Sequence, residues 1–156
     1  MSQFIMQNSE MILRLVTAVV LGLLVGGERL LVHKDAGMKT HALVSLGAAV
    51  FVLVSEQMVQ KYISLPGLSP TMIPAQIIVG IGFLGAGSIM LHGAQLRGLT
   101  TAGGLWVTAG IGMAAGFGFY SLALVTTILV LLVLTAVNIL ERPIRKISDN
   151  IDKVEA

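Results

Sequence analysis

Apolar positions in this chain gather into five runs separated by short polar turns: Met11–Gly27, Thr40–Ser55, Pro74–Leu91, Leu99–Phe117 and Tyr120–Leu140. Each run approaches the ~20 residues that a helix needs to cross a hydrocarbon core of ~30 Å. The pattern predicts an all-α polytopic membrane bundle of about five transmembrane helices over residues 1–141, followed by a short tail, residues 142–156. Runs four and five nearly touch, so a tight turn at Gly116–Tyr120 has to separate them. A four-span arrangement, with those two runs fused or one re-entrant, is the alternative.

Glycine changes the picture most. Gly80, Gly82, Gly85 and Gly87 stud the third run, and Gly103, Gly104, Gly110, Gly112, Gly116 and Gly118 stud the fourth and its end. In a soluble helix each glycine costs about 1 kcal/mol relative to alanine. In a bilayer, small residues let helices approach closely. Ala18, Gly22 and Gly26 recur every four residues along run one, and Gly112 and Gly116 form a second GxxxG pair. Gly80 and Gly87 share one face of run three while Gly82 and Gly85 point the other way, so that helix is expected to have close neighbours on both sides. Run five has no glycine and is expected at the lipid-facing periphery. A glycine-lined solute path is the competing use of these positions.

Composition agrees: 55% of the 156 residues are hydrophobic and 12% charged, with mean hydropathy +0.90. There is no cysteine, which removes disulfide and thiol chemistry. MSQFIMQNSE has no basic n-region, so the first run is expected to stay in the membrane rather than be cleaved as a signal peptide. Three of the four prolines lie in the loop between runs two and three, with Pro74 suited to a first helical turn.

Charge orients the bundle. Of ten basic residues, eight (Arg29, Lys34, Lys39, Arg97, Arg142, Arg145, Lys146, Lys153) fall on one side, and Arg14 and Lys61 on the other. Basic residues mark the cytoplasmic side, which predicts N-terminus out and C-terminus in. In the tail, Ile144, Ile147, Ile151 and Val154 fall on one helical face, as in a short amphipathic cytoplasmic helix.

None of the eight acidic residues lies near the middle of a run, no His, Asp and Glu spacing suggests a metal site, and no nucleophile–base arrangement is legible. No catalytic residue and no cofactor are expected, and nucleic acid is not an expected partner. What converges is a polar set at the cytoplasmic ends: Glu28, Arg29, Lys39, Thr40, His41, Arg97, Thr100 and Thr101. Thr40, Thr100 and Thr101 are suitable N-caps, and helix N-termini favour anions. The set reads either as caps, snorkelling cations and lipid headgroup contacts, or as a pocket for an anion or an acidic piece of a partner protein. Glu28 is expected to pair with Arg29, Lys39 or Arg97, because an unpartnered carboxylate beside lipid is costly.

At these residues the chain resembles the MgtC/SapB family. The matching blocks are GLLVGGER ending at Arg29, KDAGMKTH ending at His41, AQIIVGIGFLGAG ending at Gly87, and RGLTTAGGLW from Arg97 to Trp106. The resemblance covers about residues 11–138. It implies a bacterial inner-membrane protein linked to growth under magnesium limitation and, in pathogens, to survival inside host cells. It also implies a non-enzymatic regulator or accessory protein that contacts other membrane machines, including ATP synthase. The small-residue faces lead to an expected homo-oligomer, a dimer first. The other function the resemblance leaves open is a small oligomeric transporter or channel for magnesium or another ion. Family members often carry alanine where Gly103 and Gly104 stand, and longer members carry a soluble C-terminal domain.

Reporter fusions at Lys61 and at the end of the tail should report opposite sides of the membrane. Finding both on one side would exclude an odd number of crossings.

Overall fold

The computed structural model describes residues 8–62, 69, 71–93 and 95–152, with side chains described as far as Leu140. The described residues form five helices: α1 Ser9–Leu31, α2 Met38–Lys61, α3 Met72–Gly87, α4 Leu99–Gly116 and α5 Tyr120–Asp152. A small antiparallel hairpin, β1 Met90–His92 and β2 Gln95–Arg97, joins α3 to α4. This is a helical membrane bundle, and α1, α2 and the Tyr120–Leu140 part of α5 are each long and apolar enough to cross a bilayer. The backbone alternates between two ends. The end of α1 meets the starts of α2 and α4 and the late part of α5, while the start of α1 meets the ends of α2 and α4 and the start of α5.

α2 sits at the centre, packed most extensively against α1 and then α4. Glycine makes this possible. A Cβ on Gly22 would lie 2.7 Å from the His41 carbonyl oxygen, and one on Gly26 would lie 2.6 Å from Met38 Cα. On the other side of α2, a Cβ on Gly112 would collide with the Ser45 carbonyl, and one on Gly116 would lie 2.9 Å from Ala49 Cα. Ser45 is therefore held between Gly22 of α1 and Gly112 of α4. Both GxxxG pairs are used inside the chain. The core between these helices is correspondingly small-sided, with Ala18, Val25, Ala49, Ile111, Ala115 and Ala123 closed from solvent. α5 packs on α4 and α1 and leaves most of its leucines and valines exposed.

Three expectations are corrected. The third run does not remain helical to Leu91. α3 ends at Gly87, where Ser88 turns its hydroxyl back onto the Gly85 carbonyl at 2.7 Å, and the chain enters the hairpin. Gly98 then adopts φ +91 against the Ser88 carbonyl, a position no side chain could share. Second, α3 does not have close neighbours on both sides within the chain. Among the described residues its substantial packing is against α4 and α2. A Cβ at Gly85 would make ordinary contact with Ala102, while at Gly80, Gly82 and Gly87 it would meet nothing within 4 Å. Third, Thr40, Thr100 and Thr101 are not caps. The N-cap positions are Gly37 and Gly98, one residue before each helix, and neither supplies a side-chain hydrogen bond.

The turn expected at Gly116–Tyr120 is present. Gly118 at φ +76 closes α4, with its N–H donating to the Ala115 carbonyl and the Phe119 N–H to the Ala114 carbonyl. No break occurs at the expected boundary near residue 141, and α5 continues as one helix to Asp152. The apolar face expected from Ile144 to Val154 lies outside the residues whose side chains are described.

Gly112→Ala should destabilise the protein by about 1–3 kcal/mol, the usual cost of overpacking. Gly87→Ala should be neutral or stabilising by about 0.5–1 kcal/mol, because its Cβ enters open space. Unfolding in mixed detergent, followed by circular dichroism, reads both.

Candidate functional site: polar clusters at the two ends of the bundle

Glu28 and Arg29 close the last turns of α1. The Arg29 Nε–H donates to Glu28 Oε2, and the other carboxylate oxygen, Oε1, accepts from Asn138 Nδ2 of α5 at 3.0 Å. Arg29 is almost fully buried, at 1% exposure. A charge so enclosed persists only when paired, and the Glu28 carboxylate is that partner. Asn138 links the pair to a helix more than a hundred residues away in sequence.

A second polar group lies between α2 and α4. His41 is fully buried, with its Nδ1 2.8 Å from Thr108 Oγ1. The Thr108 hydroxyl donates to the Gly104 carbonyl one turn back, also at 2.8 Å. Its only proton is thus committed, so the Thr108 oxygen accepts from His41 Nδ1–H. Among the described residues, His41 Nε2 and the Ser45 hydroxyl are buried atoms with no hydrogen-bond partner. His41 is therefore an interior group of the bundle.

The rest of the expected set divides. Thr101 is buried, and it lines a cavity of about 470 Å³ together with Thr40 and Asp35. Lys39 is exposed and borders a separate apolar groove. Thr100 is exposed on the far side of α4, facing α5. Arg97 is exposed on the hairpin. Among the described residues, neither Lys39 nor Arg97 forms an ion pair. The eight residues thus occupy one end of the bundle without forming one hydrogen-bonded cluster. Glu28 and Arg29 pair, His41 bonds elsewhere, and the others line cavities or the surface.

The opposite end carries a cluster that the sequence reading missed. Arg14 donates through its guanidinium to Glu10 at 3.1 Å, to Glu56 at 2.7 Å and to the Gly116 carbonyl at 3.0 Å. Tyr120 donates its hydroxyl to Glu10 at 2.9 Å. One arginine therefore ties α1 to the ends of α2 and α4, and through Glu10 to the start of α5. The i,i+4 spacing of Glu10 and Arg14 was a readable signal. So was Asn138, a lone amide in a leucine- and valine-rich run that must find a partner in lipid. Among the described residues no group of three or more His, Cys, Asp or Glu could hold a metal ion.

This bundle, with small-residue interfaces between helices and charged residues at its ends, defines a polytopic helical membrane protein. Residues 15–143 match the MgtC family, and the chain belongs to it. It is 42% identical to "Putative magnesium transporter YhiD" of Escherichia coli K12 over 129 residues, 81% of this chain and 60% of that protein. It is 48% identical to "Protein MgtC" of Salmonella typhimurium LT2 over 120 residues, 77% of this chain and 49% of that protein. A Synechocystis protein, slr0014, is 42% identical over 89% of this chain and 55% of its own length. The chain thus spans about half to three-fifths of the curated relatives it matches. No solved structure matches it.

Glu28→Ala should destabilise the fold by about 3–5 kcal/mol, because it leaves the Arg29 charge buried alone. The double variant Glu28→Leu/Arg29→Met should cost less than that single change. A double variant as damaging as the sum of the two single variants, in the same unfolding assay, would contradict the pairing.

Proposed function

We propose that this protein is a non-enzymatic inner-membrane regulator or accessory protein of magnesium homeostasis, oriented N-terminus out and C-terminus in. It acts by contact with other membrane proteins during adaptation to magnesium limitation and related stress. The observation that carries the reading is the closed middle of the bundle. Glycine contacts on both faces of α2 leave no room for a hydrated path between α1, α2 and α4. The polar groups at one end are separated from Arg14 and Glu56 at the other by the alanine-rich core. The eight-to-two division of basic residues supports the orientation. Gly82 and Gly87, open on α3, support close approach by a further helix, from a second copy or from another membrane protein.

A small oligomeric transporter is the second reading. It is favoured by the transporter naming of the Escherichia coli relative and by the unpartnered polar atoms of His41 and Ser45 inside the bundle.

Purified protein reconstituted into liposomes loaded with a magnesium-sensitive dye separates the two. The regulator reading expects magnesium entry at the rate of protein-free vesicles. Sustained, protein-dependent uptake would overturn it in favour of the transporter.

A further inference from the structure

A groove of about 700 Å³ runs between α2 and α3, and Lys39 is the one charged residue among the described residues that line it. Val44, Phe51, Ile77 and Ile81 supply apolar walls. Gly47 on α2 and Gly80 on α3 also line it, and a Cβ on either would meet nothing within 4 Å. These two glycines serve no helix contact in the chain. Their effect is to keep the groove clear from both walls.

We propose that this groove is a binding site for one anionic phospholipid, with an acyl chain between α2 and α3 and the phosphate at the Lys39 ammonium. Length decides the occupant. From Lys39 to Phe51 is twelve helical rises, about 18 Å. Half of a ~30 Å hydrocarbon core is about 15 Å, so the groove matches the depth of one leaflet. A transmembrane partner helix would need about twice that length. Charge decides the headgroup. Lys39 stands at one end of the groove, makes no ion pair among the described residues, and lies at the start of α2, where the helix dipole also favours an anion. The volume lies within the range of small-ligand sites, about 300–1,000 Å³.

The test uses the full chain in phosphatidylcholine vesicles doped with spin-labelled phosphatidylglycerol or spin-labelled phosphatidylcholine. Electron paramagnetic resonance then reads the immobilised fraction of each. The wild type should immobilise the phosphatidylglycerol label several-fold over the phosphatidylcholine label. Lys39→Glu should bring that ratio to about one, and Gly80→Leu, which fills the groove, should remove the immobilised component. Val79→Phe, on the same helix, exposed and outside the groove, should leave both readings unchanged. Equal immobilisation of the two labels by the wild type would overturn the proposal. So would a preference that survives Lys39→Glu, or an immobilised fraction that survives Gly80→Leu. Disulfide-linked pairs formed through Gly80→Cys in membranes would place a second copy in the groove instead and would also overturn it.

Discussion

Contact between backbones is the constraint from which this architecture follows. Lipid tails are as apolar as leucine, so no hydrophobic gain draws one membrane helix to another, and van der Waals contact at short range has to serve. α2 obtains that contact on two faces at once, against Gly22 and Gly26 of α1 and against Gly112 and Gly116 of α4. The residues offered in return are small as well, Ser45 and Ala49 among them. With these three helices drawn together, the grooves among the described residues open at the flanks, beside α3 and α5.

The polar residues complete what glycine begins. A close-packed apolar triad could slide along its own axis, because alanine and glycine surfaces are smooth. Arg14 and the Glu28–Arg29–Asn138 group act as pins at the two ends, each joining helices distant in sequence. His41 and Thr108 add a third pin between α2 and α4. An ion pair at either end has few alternative partners in lipid, so each pin specifies register as well as adding attraction.

Much of this was readable from the order of residues because membrane helices declare themselves locally. The apolar runs located the helices, and the four-residue recurrence of Ala18, Gly22 and Gly26 named the face of α1 that meets α2. That Glu28 needs a cation was readable, but the choice of Arg29 over Lys39 and Arg97 was not, because side chains at i and i+1 of a helix do not face each other. Features that depend on distant contacts were not legible. Asn138 reaches Glu28, and Arg14 reaches Glu56 and Gly116, only after the bundle has formed. The open glycines of α3 look the same in sequence as the packed ones of α1 and α4, because composition does not reveal what stands opposite. The first strand was hidden at the end of an apolar run, since Met90 and Leu91 read as a continuation of the span.

The brevity of α3 has a consequence for the surrounding lipid. Its sixteen residues measure about 24 Å, against a hydrocarbon core of about 30 Å. The strands that follow cannot make up the difference within hydrocarbon, because a two-stranded hairpin has unpaired edges that require water or headgroups. A helix of this length matches a thinner bilayer, whereas α1 and α2, at 23 and 24 residues, match ordinary thickness. A molecule with one thin side and one full-length side meets an uneven elastic cost around its perimeter. Hydrophobic mismatch of this kind favours thin or deformable membrane regions and neighbours that share the same short flank.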